Sequence, residues 1–208
     1  MPFSNYLKNK LLDHSTGKTS YTKPTTYLAL LTTLPSDNTG TGLAEMSGGS
    51  YARVQIDSSW AAASSGTAST NANIEITCNT GTVVGWAIYD ASTSGNMLAW
   101  DGIYTTNTAE SNTFATSGEG TDVITLNVTA PVRNVIVKDS SDTTTYTRGT
   151  DYTVEYQTGK IIRISAGSIS SGATVHVTYD TRTTRSVVAG DIERFNSGNL
   201  SLSLEGYK

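Results

Sequence analysis

Residues 82–100, TVVGWAIYDASTSGNMLAW, restrict the fold more than any other stretch of the chain. Two apolar runs, 83–89 and 97–100, flank a polar, glycine-containing segment at 90–96, the pattern of a β-hairpin whose loop exceeds the tightest turns. Within the first run Val84, Trp86 and Ile88 share one parity and Val83, Ala87 and Tyr89 the other, so apolar groups point to both faces. A strand of that kind is covered on two sides, which puts the hairpin at the centre of a sheet. Trp86 and Trp100 belong to it and read as core aromatics, with a ligand platform as the rival reading.

The rest of the chain has the character of strands and turns. Thr and Ser make up more than a quarter of its 208 residues, charged residues only 15%, and there are 19 Gly against 4 Pro. That balance predicts an all-β protein with one short helix. The net charge is -4 and no run of Lys or Arg reaches three, which argues against a nucleic-acid partner. The opening MPFSNYLKNKLLDH lacks the apolar core and cleavage site of a secretory signal. No stretch approaches the roughly 18 apolar residues of a membrane span, so no membrane partner is expected. The single cysteine, Cys78, excludes an intrachain disulfide and reads as a small, partly buried side chain; nothing near it in sequence would activate a thiol.

Phe3, Tyr6, Leu7 and Leu11 recur at helical spacing, with Lys8, Asn9 and Asp13 between them and Gly17 beyond. This amphipathic helix is expected to cover one face of the sheet or to dock on a neighbouring subunit. His14 falls in its last turn, where the helix dipole favours a cation, and the other histidine, His176, is too remote in sequence to suggest a metal pair. Residues 25–33 read as a buried strand, 36–50 as an exposed loop and 51–56 as an alternating strand. Residues 60–70 read as a connector, and 73–77 as a strand with Ile74 and Ile76 inward.

Residues 107–120 have one aromatic and no periodicity, the chemistry of a linker. A second β block follows, with strands expected at 122–129, 132–139, 151–156, 160–165 and 173–180. Its inward faces are Ile124, Leu126 and Val128; Val135 and Val137; Tyr152, Val154 and Tyr156; Ile162 and Ile164; and Val175, Val177 and Tyr179. Five such strands make a small sandwich. From residue 183 the tail again has the composition of residues 1–106, with Leu200, Leu202 and Leu204 on one face of a final strand over 195–204. A base domain made of 1–106 and 183–208, interrupted by an inserted domain at 107–182, is the simplest organisation.

The segments FSNYLKNKLLDH, TTYLALLTT, SGGSYARVQID, VVGWAIYD, NMLAW and VVAGDIERFNSGNLSLSL together resemble small virion structural proteins of tailed bacteriophages, of the tail-fibre-like or head decoration (capsid cement) kind. The inserted VIVKDSSDTTTYTRGTDYTVEYQTGKIIRI resembles the immunoglobulin-like accessory domains of exposed virion proteins. The resemblance implies a β-sandwich or barrel base with a short N-terminal helix, plus an immunoglobulin-like insert. It also implies synthesis in the host bacterial cytoplasm and residence in the virion. The partners it implies are the major capsid protein or tail proteins, further copies of the chain, and a host-surface glycan for the insert.

Catalytic signatures are missing: there is no GxSxG, HExxH, P-loop or GxGxxG, and only two histidines. Asp57, Glu75, Asp90, Asp101, Asp151 and Glu155 could supply a glycosidase-like pair but fall at strand ends and turns. Asp139 to Asp142 lack the ligand number and fixed glycine of a calcium loop. No metal or cofactor is expected. The expected function is therefore non-enzymatic, with capsid decoration first and a tail-fibre or baseplate component as the alternative; a carbohydrate-active enzyme is the distant third reading. Broad contact with a lattice favours Tyr, Arg and apolar surface, so Phe3, Tyr6, Leu7, Leu11, Tyr51, Arg53, Arg185, Arg194 and Phe195 are the candidate interface.

Overall fold

The structure, a computed structural model, describes residues 3–116, 121–128 and 131–204. Helix α1 (Asn5–Ser15) precedes β1 (Tyr27–Thr33), β2 (Ala44–Glu45), β3 (Val54–Gln55) and a single 3-10 turn at Asp57–Ser59. Then come β4 (Thr67–Ser69), β5 (Ile74–Thr77), β6 (Gly81–Val83), β7 (Gly85–Tyr89) and the long β8 (Met97–Thr113). After these lie β9 (Val123–Thr125), β10 (Val132–Asp139), β11 (Tyr152–Glu155), β12 (Lys160–Arg163) and β13 (Thr174–Thr183). The last strands are β14 (Arg185–Val187), β15 (Ile192–Phe195) and β16 (Ser201–Ser203). The fold is all-β with one short helix, and it divides into two compact units, Met1–Ile103 with Thr184–Lys208, and Tyr104–Thr183.

In the first unit the predicted hairpin is central. β7 lies between β1 and the start of β8, antiparallel to both, with Leu30 and Asp101 as the cross-strand partners of Trp86. Alternation within β1 and β7 divides them between two apolar clusters. Val83 and Val84 exchange the faces expected of them, since β6 ends at Val83 and β7 begins at Gly85: Val83 joins the main core and Val84 the smaller cluster. Leu28, Leu30, Trp86 and Ile88 enter the main core, while Ala29, Leu31, Ala87 and Tyr89 face a smaller cluster with Leu34, Leu43, Val84, Met97 and Trp100. Gly85 permits the close fit of β7 to β8, because a Cβ there would sit 2.4 Å from the Asp101 carbonyl oxygen.

Helix α1 starts where Ser4 accepts the Leu7 N–H at 3.1 Å and stops before Gly17, whose φ is 72°. Leu7 is buried in the main core, and Phe3, Tyr6 and Leu11 pack against it, so the helical stripe covers the sheet of its own unit. His14 does sit in the last turn, and its Nδ1 accepts the Tyr21 N–H at 3.2 Å.

The tail retraces the first half in reverse. β14 pairs with β6, β15 with β5 and β16 with β4, each antiparallel. Phe195 and Leu200 carry the tail into the main core, at 7% and 0% exposure, and Cys78 is also fully buried there. Burying two such side chains contributes about 1.5–3 kcal/mol each, a part of what offsets the ordering of three short ladders.

The second unit has its own core. The later part of β8 lies beside β13, which pairs with β10, and a separate three-stranded sheet runs β11-β12-β9. Both sheets supply one cluster that includes Ile124, Val137, Tyr152, Ile161, Val175, Val177 and Tyr179. Its turns are held by carboxylates: Asp139 accepts from Ser141, Thr143 and the Thr144 N–H, bonds that pull its pKa down to about 2. Asp151 accepts from the Ser168 and Thr147 N–H groups and is likewise lowered.

Six local expectations are corrected. Residues 107–113, expected in a linker, continue β8; residues 117–120 of that stretch lie outside the described residues, as does Thr129 at the end of the strand expected over 122–129. Residues 60–70 are not only a connector, since they contain β4. The loop expected over 36–50 holds β2 and the buried Met46, and the strand expected over 51–56 shortens to β3. In β12 the inward residue is Ile161, fully buried, while Ile162 and Ile164 are only half-buried. Residues 195–204 are no single strand: β15 and β16 are separate, and Leu204 is 71% exposed.

Candidate interaction surface

Tyr51 and Arg53 are brought together, but by an inward network. The Arg53 guanidinium grips Glu45, with Nε at 2.9 Å from Oε1 and Nη2 at 2.6 Å from Oε2. Its Nη1 donates to the carbonyls of Ala91 and Ser94 at 2.9 and 2.6 Å, pinning the hairpin loop, and the Arg53 Cζ lies 3.5 Å from the Tyr89 ring centre. The Tyr51 hydroxyl donates to Glu45 at 3.0 Å and accepts the Leu30 N–H at 3.0 Å. Burial pushes the Tyr51 phenol well above its ordinary pKa, against the opposing Leu30 bond. Burial alone would lower the Arg53 guanidinium, yet its bonds to Glu45 raise it.

This network ties β1, β2 and the hairpin loop together, so its removal should be costly. Arg53→Met is expected to destabilise the first unit by about 2–4 kcal/mol, because the half-buried Glu45 carboxylate loses its cation. Arg53→Lys should recover only a minor part, since an ammonium cannot reproduce the fork. Thermal unfolding of the three proteins checks both statements; equal melting temperatures would refute them.

The tail residues behave differently from one another. Phe195 belongs to the core, whereas Arg185 and Arg194 have half-exposed side chains. Arg185 donates to Glu193, a carboxylate 7% exposed whose pKa burial raises while Arg185 pulls it down. Arg194 meets Glu75 at 2.7 Å on the surface. Val188 and Ile192, at 60% and 53% exposure, lie close by in sequence.

Two further charge contacts lie in the second unit. Asp122 accepts from Arg163 at 2.8 Å and Ser171 at 2.9 Å, which lowers its pKa, and Asp142 lies 3.0 Å from His176 Nδ1. Of the acids weighed for catalysis, Asp57 accepts from Gln55, Asp90 fastens Asn96 across the hairpin loop, and Asp101 is buried beside Gly102. Among the described residues no three His, Cys, Asp or Glu side chains converge as metal ligands, and no helix is long and apolar enough to cross a membrane. The sequence reading missed Glu45 and Glu193, the acids that fix its own candidate arginines. Their only signal was an acid eight residues away from each arginine.

The chain is 45% identical over 60 residues to the tail sheath protein of Burkholderia phage BcepMu. That stretch is 28% of this chain and only 13% of the relative, so the chain spans a small part of that protein's length. With the family matches that follow, this likeness identifies a structural protein of the bacteriophage virion. The chain belongs to the family described as Podophage GP4 fiber I protein gp80, matched by residues 2–125, and to a second, described as a protein of unknown function, matched by residues 96–204. Each match covers more than half of the chain, and the two overlap along β8 and β9.

Proposed function

We propose that the chain is a non-enzymatic structural component of a phage tail fibre. The observation that carries this reading is the fibre-family match through residues 2–125, which takes in the helix, the central hairpin and β4 to β7. The partial likeness to a tail sheath protein points to the same end of the particle. The surface chemistry agrees with a building block: arginines and acids are bound to each other rather than gathered around a reactive centre. Its partners are other tail proteins and copies of itself. The inserted second unit, two small sheets about one core, serves as an immunoglobulin-like accessory domain that reaches the host surface.

Shearing virions and separating heads from tails on a density gradient tests the assignment. An antibody to the chain should stain the tail fraction and leave emptied heads blank. Recovery in the head fraction would instead restore the capsid-cement role and overturn the tail reading.

A further inference from the structure

We infer that the outer face of helix α1 and the segment after it, residues 8–23, form a docking site for an acidic segment of a different virion protein. The inference rests on the reading above only in taking the chain to sit among other proteins of the particle, and it names the chemistry of the neighbour.

Charge is spread unevenly along the chain. Four of its seven lysines, Lys8, Lys10, Lys18 and Lys23, fall within residues 8–23 with Asp13 as the one acid, a net charge of +3 on a chain whose total is -4. Residues 12–20 are exposed throughout, as are Lys8 and Lys23. Among the described residues the ion pairs are made by arginines and His176, and none of the four lysines takes part in one. Helix stability does not account for the cluster. Lys8 directly follows a first turn that holds no acid, at the end where the helix dipole disfavours a cation. Lys18 and Lys23 lie beyond Ser15, the last helical residue.

An apolar side chain on the same face selects the occupant. Leu12 is 63% exposed and one helical turn from Lys8, so an apolar contact is offered beside the cations. A nucleic acid or an anionic polysaccharide would answer the lysines and leave Leu12 in water, whereas a protein segment that mixes Asp or Glu with apolar residues meets both. A second copy of this chain is a poor occupant. Its Glu45, Glu75, Asp122, Asp180 and Glu193 each face an arginine of their own chain.

Treating intact virions with a water-soluble carbodiimide, which joins a lysine amine to a carboxylate in direct contact, tests the site on the protein as it exists. Peptide mass spectrometry should find Lys8, Lys18 or Lys23 coupled to Asp or Glu of another virion protein. A chain carrying both Lys8→Glu and Lys18→Glu, with its melting temperature unchanged, should enter virions about tenfold less well in competition with wild type. No coupling, coupling only to further copies of this chain, or full incorporation of the charge-reversed chain would overturn the inference. Lysines shielded from acetylation in virions yet coupled to no protein would point to a polyanion and overturn it as well. Coupling to a head protein would keep this surface and refute the tail assignment, while uncoupled lysines on a chain recovered with tails would do the reverse.

Discussion

Trp86→Ala is expected to cost the first unit about 3–5 kcal/mol, the range for truncating a buried aromatic. The ring is 5% exposed, on the strand that lies between β1 and β8, and it packs into the same cluster as Leu30, Ile88 and Leu98. The neighbours belong to backbone ladders on both sides, so they cannot close over the vacated volume without breaking strand pairing. Domains are stable by about 5–15 kcal/mol in all, so the loss is a large fraction of the total. The cores of the two units share no residue, and the effect should stay local. Denaturant titration followed by circular dichroism should show an early transition for the first unit and an unmoved one for the second. A variant that melts like the wild type would show that the hairpin does not organise the fold.

That hairpin was legible because both parities of 83–89 are apolar, a pattern that polar edge strands do not produce. β13 was legible for the complementary reason: Val175, Val177 and Tyr179 alternate with polar residues over one buried face, and in β10 Val135 and Val137 are buried on either side of the exposed Ile136. The end of β8 was not legible, because its pairing is polar. Thr106 donates to Asp180 at 2.7 Å, Thr113 and Thr174 hydroxyls meet at 2.9 Å, and the Tyr179 hydroxyl donates to Glu110. Hydroxyls satisfied across strands leave no hydropathic period, so the segment reads as a linker while threonine's β-branched shape suits a strand. β12 failed in another way. Ile161, Ile162 and Ile164 allow two inward faces, and only the pairing of Ile161 with Val154 and Ile124 selects one.

The candidate surface shows a sharper limit. Tyr and Arg at 51 and 53 are the residue types of interfaces, and they are equally the types that lock an interior corner. Direction depends on where the counter-charge lies, and Glu45 sits in a short strand inside a polar loop that reads as solvent-exposed. Arg194 kept its outward direction because β15 alternates cleanly around Phe195. A side chain's type therefore proposes a contact, while the register of its strand decides whether the contact is internal.

Removing residues 104–183 and bridging the gap with about four Gly/Ser residues is expected to leave a folded first unit. The attachment points support this. The Ile103 N–H donates to the Val84 carbonyl at 3.1 Å, and Arg185 pairs directly with Val83. Consecutive residues of one chain thus anchor both ends of the insertion, which places Ile103 and Arg185 within about 15 Å of each other, a span four extended residues cover. The remaining core keeps every member of its cluster, including Trp86, Ile103, Phe195 and Leu200, and only the second unit's cluster is lost. A closed loop of a few residues also costs less chain entropy than the 80-residue excursion it replaces, so the tail ladders should form at least as readily. The shortened protein should unfold in one cooperative transition, with the Arg53–Glu45 pair intact by its mutational effect. A shortened chain that is insoluble or lacks a cooperative transition would mean that the first unit needs the second in order to fold, and the two-unit organisation would have to be abandoned.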